Sequence, residues 1–267
     1  MTTDTTQRPI SQVSCSAPTQ IRQNLRFEHV FFSGMAALIL VSVVIGFTAT
    51  FYLRDIVKMP VWADPRPLPF LVITHGTVFS LWILLLITQT SLVAAHRVRI
   101  HQRLGIAGFA LASLLVLLGF VVLCVAMARH FPPASPALST QAGAIFSVLG
   151  FALLVFFGYR LRRNPPAHKR LMILGTVSLL DAAFNRWPGL HNVDYNHLLS
   201  SACCFALLVL VACYDLWSRT KIQPATMWGG VTLLVTHAPI HGIFTHNAIW
   251  FHLAVHMQTL GHLFLRA

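Results

Sequence analysis

Long apolar runs separated by short, arginine-rich connections set the pattern of this chain. A helix that crosses a bilayer needs about 20 consecutive apolar residues. Six segments meet or approach that length, at 30–53, 69–95, 104–128, 141–161, 170–187 and 197–217. A seventh, 226–244, has a clean apolar run that ends at Val235, where histidines begin. The pattern predicts an all-α fold, a polytopic membrane helix bundle of about seven transmembrane helices over residues 27–245.

Before the first run, residues 1–26 are polar and hold no apolar core of a cleavable signal, so they read as a disordered cytoplasmic tail. After the seventh run, His252, His256, Thr259 and His262 step by four, three and three along one face of a helix whose other faces carry Trp250, Phe251, Leu253, Val255, Leu260, Leu263 and Phe264. This amphipathic pattern predicts an interfacial C-terminal helix over 246–267, either lying at the membrane surface or packed on the bundle with its histidine stripe toward water.

Charge adds orientation. The chain carries a formal net charge of +12, which in a soluble protein would suggest nucleic acid; here the basic residues cluster between apolar runs, and a nucleic-acid partner is excluded as the reading. Arg8, Arg22 and Arg26 lie in the tail; Arg97, Arg99 and Arg103, then Arg160, Arg162, Arg163, Lys169 and Arg170, then Arg219 and Lys221, lie in every second connection. The alternate connections are poorer or are offset by Asp55, Asp64 and Asp194. By the positive-inside rule the N-terminus is cytoplasmic and the C-terminus external. The basic connections read as headgroup anchors. Of the five cysteines, none forms a CxxC pair and four lie inside apolar segments, where Cys acts as a small hydrophobe.

The stretches HGTVFSLWILLLITQTSLVAAHRVRIHQRLG (75–105), HKRLMILGTVSLLDAAFNRWP (168–188) and YDLWSRTKIQPATMWGG (214–230) resemble a family of predicted bacterial inner-membrane proteins, domain of unknown function 2306. The resemblance covers most of the chain after the tail. It implies a multi-helix bundle in the bacterial inner membrane and carries no reaction.

Ionisable groups at membrane depth are costly, which makes them functional candidates. At 1.5 Å per residue, His75 sits about 9 Å below the outer end of its helix and His237 about 12 Å below the same face, so the two share one depth. His241 follows His237 by one helical turn, a spacing that lets two imidazoles reach one metal ion, and Pro239 between them disrupts the helix. His197, at the start of the sixth segment, would add a third ligand or the opposing axial ligand of a haem. On the cytoplasmic side His101 and His168 form a second candidate pair, in the layout of di-haem membrane cytochromes. Asp181 lies near the middle of the membrane, with Asn185 one turn on, as a candidate proton relay or as a packing hydrogen bond.

Walker loops, dinucleotide fingerprints, nucleophile elbows and HExxH are all absent from the sequence, so the chemistry they support is not indicated. The residues point to haem b or transition-metal binding in redox or cofactor-assembly work, with ligands among His75, His101, His168, His197, His237 and His241. The alternatives are a proton-coupled transporter or lipid-handling protein built around Asp181, and an accessory subunit of a larger membrane complex.

Overall fold

A computed structural model describes residues 17–266 except 62, 65, 67, 191–195 and 238–246. The described residues are helical, without strands. In chain order the helices are α1 (Ala17–Phe47), α2 (Phe70–Ala94), α3 (Val98–His130), α4 (Ala137–Ala142), α5 (Ile145–Arg160), α6 (Pro165–Ser178), α7 (Asp181–Phe184), α8 (Asn196–Arg219), α9 (Pro224–Thr236) and α10 (Ala248–Arg266). A π-helical turn, Thr48–Tyr52, extends α1.

Among the described residues, four stretches are long and apolar enough to cross a membrane: Phe27–Tyr52, Phe70–Ala94, Val98–His130 and Leu198–Arg219; Ile145–Arg160 is a shorter apolar helix. Their outer surfaces expose Val30, Leu84, Leu117 and Val209. In water such a surface would aggregate, and against lipid it costs nothing. The chain is therefore a membrane protein.

Punctuation explains the boundaries. Pro165 and Pro224 occupy first helical turns, where a missing N–H is harmless; Asn164 caps α6 by accepting from Ala167 N at 3.4 Å. Helix α1 is described from Ala17, inside the stretch expected as a tail, and residues 1–16 of that stretch lie outside the described residues. The apolar stretch of this helix begins at Phe27.

The main core joins Ile39 and Val43 of α1, Trp82 and Ile83 of α2, Phe151 and Leu154 of α5, Leu174 and Val177 of α6 and Leu233 of α9. Polar groups inside it pair across helices: Trp82 Nε1 donates to Thr176 Oγ1 at 3.2 Å and Trp187 Nε1 to the Ser42 carbonyl at 2.9 Å. A smaller core joins Leu123, Cys124 and Met127 of α3 with Leu138 of α4 and with Ala254 and Met257 of α10. Helix α10 thus packs along α3, the second of its two expected placements. Its His252 and His256 face outward.

Arg170 is the main departure from the charge pattern. It is not a headgroup anchor: it is fully buried, and its Nε donates to Asp215 Oδ1 at 2.8 Å, with Nη2 on the same oxygen. The other oxygen, Oδ2, accepts from Thr226 Oγ1 at 2.6 Å and from Gln223 N at 3.0 Å. This network ties α6, α8 and the start of α9 together at the arginine-rich face.

Candidate functional site: a polar cavity among interrupted helices

Three helices lose regular geometry on their way toward the face opposite the arginine-rich turns. Helix α1 widens into the π turn Thr48–Tyr52; α6 stops at Ser178 and resumes as α7 at Asp181; α9 stops at Thr236, with His237 extended at φ −115° and ψ 163°. Irregular backbone at membrane depth persists only where protein or a wet cavity serves its polar groups. Here all three interruptions line one cavity of about 630 Å3.

The cavity is bordered at its mouth by the loop between α1 and α2 and by the ends of α3 and α4. There Asp64 receives Nε of both Arg66 and Arg129 at 3.0 Å, and Arg54 Nη2 donates to the carbonyls of Asp64 at 2.6 Å and Arg66 at 2.8 Å. The Arg66 guanidinium beside Asp64 holds its carboxyl well below the usual carboxylate range. The lining also includes His75, Asp181, Arg186, Ser201, Thr236 and His237, with apolar walls of Phe47, Phe51, Phe79, Leu115 and Phe151.

Each polar residue is placed by its helix. Asp181 opens α7, and its carboxylate accepts from Ser200 Oγ on α8 and from Asn185 Nδ2 at 3.4 Å. His237 is buried, with Nδ1 at 3.1 Å from Thr236 Oγ1. His75 lies on α2 beside Gly119 of α3, where an added methyl would stand 3.6 Å from its Cε1; its Nδ1 is buried without a hydrogen-bond partner among the described residues. Arg186 donates through Nη1 to the Ala182 carbonyl, and its Cζ stands 4.9 Å over the Phe47 ring.

Of the residues singled out from sequence, His75, Asp181 and His237 therefore share a cavity. Helix α9 ends at Thr236 and His237 is extended; His241, the other member of that candidate pair, and Pro239 between them lie outside the described residues. His197 falls in the first turn of α8, and its side chain lies outside the described residues as well. His101 and His168 meet at the arginine-rich face, ring centroids 6.1 Å apart and planes at 80°, with His168 Nδ1 at 2.8 Å from the Gly158 carbonyl. Among the described residues no group of three or more His, Cys, Asp or Glu is placed to hold a metal ion. Sequence reasoning passed over Arg186, Thr50 and the Asp64 cluster as site residues. The only signal for Arg186 was a cation at the end of an apolar run.

No family model, no curated protein and no solved structure matches the chain.

Proposed function

We propose that the chain is a membrane carrier with a substrate site in the cavity between α1, α2, α3, α5, α7 and α9, and that Asp181 couples occupancy to a proton. The observation that carries this reading is the convergence of three interrupted helices on one polar cavity. Carriers build their sites from discontinuous membrane helices, because freed backbone groups bind solutes and the breaks act as hinges. Asp181 follows the α6–α7 break directly, so a change in its charge acts at a hinge. The basic turns support an arginine-rich face in the cytoplasm by the positive-inside rule, an orientation in which the cavity mouth faces outward across a bacterial inner membrane.

Cysteine accessibility tests this without a known substrate. In a chain freed of its native cysteines, Ser147→Cys places one thiol on the cavity wall. A membrane-impermeant maleimide should label it from either face in vesicles of both orientations. Labelling from one face alone would leave a binding protein and remove the carrier.

A second reading, haem or transition-metal binding in redox or cofactor-assembly work, draws on the His101–His168 pair. Two imidazoles with centroids 6.1 Å apart are close enough to share one ion, and a backbone carbonyl on His168 Nδ1 is the usual outer partner of a metal-bound ring. A spectrum of purified protein before and after dithionite, with metal analysis, tests it. A colourless, metal-free sample from supplemented cells would remove it.

A further inference from the structure

We infer that the cavity binds an oxyanion, a single carboxylate or phosphate group on a small apolar body, with Arg186 as its principal charged contact. The argument starts from which polar groups in the cavity are already served. Both carboxylates are. Asp64 takes Arg66 and Arg129, and Asp181 takes Ser200 and Asn185. The groups left over share the opposite character. Arg186 gives only Nη1 to a protein carbonyl; the Asp181 carboxylate acts on it electrostatically but lies beyond salt-bridge range, and its remaining N–H groups have no acceptor among the described residues. Thr50 Oγ1 and His75 Nδ1 are buried without partners among the described residues, and both line the same cavity.

A guanidinium, a hydroxyl and an imidazole nitrogen that donates when it holds the ring proton make three donors around one space. Thr50 Oγ1 and His75 Nδ1 are buried without acceptors among the described residues, which costs stability, and Arg186 brings the positive charge, so the complement is a group rich in acceptors. Guanidinium and oxyanion match in planar, two-pronged geometry. The body of the ligand follows from the walls, where Phe47, Phe51, Phe79, Leu115, Val148 and Phe151 offer apolar surface. A volume near 630 Å3 lies in the range of small-molecule sites. Arg54 and Arg129 at the mouth add positive potential along the way in.

This inference rests on the cavity being the substrate site of the proposed carrier, and the two fail separately. The test is binding to the purified full chain in detergent by calorimetry, with octanoate, octyl phosphate, octanol and octylamine as probes of one body and four head groups. At least one anion should bind ten-fold or more tighter than octanol and octylamine, and Arg186→Gln should erase that preference. Whether octanoate or octyl phosphate leads identifies the head group. Arg186→Lys should keep the preference for an anion at reduced affinity, and Thr50→Val, which removes one donor and no charge, should weaken the anion several-fold without changing octanol. Equal binding of amine and anion, no binding of either anion, or an anion preference that survives Arg186→Gln would overturn the inference; if Arg186→Gln does not fold, Thr50→Val and Arg186→Lys decide. Anion preference with one-face labelling of Ser147→Cys removes the carrier and keeps the site, whereas two-face labelling without anion preference does the reverse.

Discussion

Arg170 and Asp215 form an ion pair with no solvent exposure at either side chain, and Asp215 spends its second oxygen on Thr226 and Gln223. Removing one partner strands a buried charge, which costs about 3–5 kcal/mol. Arg170→Met and Asp215→Leu should each lower the unfolding midpoint in detergent sharply, while the double variant recovers part of the loss, because an apolar pair of similar volume leaves no stranded ion. Additive losses in the double variant would mean that the two residues do not act as a pair.

Gly261 of α10 lies so close to α3 that an added Cβ would stand 2.0 Å from the Cys124 carbonyl oxygen. Backbone cannot yield as a flexible side chain would, so Gly261→Ala should push α10 away and cost about 1–3 kcal/mol. Gly34 has open space around it, and Gly34→Ala in the same assay should be neutral or slightly stabilising, since Ala is the better helix former. Hydrogen exchange across Ala248–Arg266 checks the local effect. Protection unchanged in Gly261→Ala would show that α10 does not depend on this contact.

Membrane placement was legible because apolar run length is a one-dimensional property, and the long runs at α1, α2, α3 and α8 stand out in the sequence. Depth counting along helices also put His75 and His237 at one level, and both line the cavity. Other features depend on contacts far apart in sequence. Arg170 meets Asp215 across 45 residues, and no local pattern marks an arginine in a basic cluster as buried. The interruptions at Thr48–Tyr52 and Leu179–Leu180 contain neither Gly nor Pro, so nothing in the local residues announces them. Proline 239 drew attention to the end of α9, yet the helix already stops at Thr236. Of the seven expected spans, four are long and apolar enough among the described residues; α6 and α9 hold 14 and 13 residues, about 20 Å each, so neither by itself matches a hydrocarbon core of about 30 Å.

The Asp64 cluster makes the mouth loop sensitive to acid. Its carboxyl titrates well below the usual range because Arg66 binds the charged form. A depressed folded value contributes stability above the unfolded pKa of about 3.9, and that contribution fades as pH falls from there through the folded value. Loop order, read by maleimide labelling of Ala63→Cys, should stay constant from neutral pH to about 4 and loosen below it. Asp64→Asn should show the loosened rate already at neutral pH and a flat profile. A steep change between pH 6 and 8 in Asp64→Asn would place control of the loop on another group.

Asp181 offers the sharpest test of proton coupling, because Asn is its nearest uncharged likeness. Asn keeps an oxygen for the Ser200 hydroxyl and cannot change charge, so it mimics the protonated carboxyl at every pH. In the wild-type chain, the ratio of Ser147→Cys labelling from the two faces should depend on pH, since charging a group beside the α6–α7 break favours one arrangement of the helices over the other. With Asp181→Asn that ratio should be fixed and equal to the wild-type value at the acid end of its range. Folding is checked by the unfolding midpoint, which should move little because the hydrogen bond to Ser200 survives. A labelling ratio that titrates identically in both chains would separate Asp181 from the coupling step and leave it as a packing residue between α7 and α8.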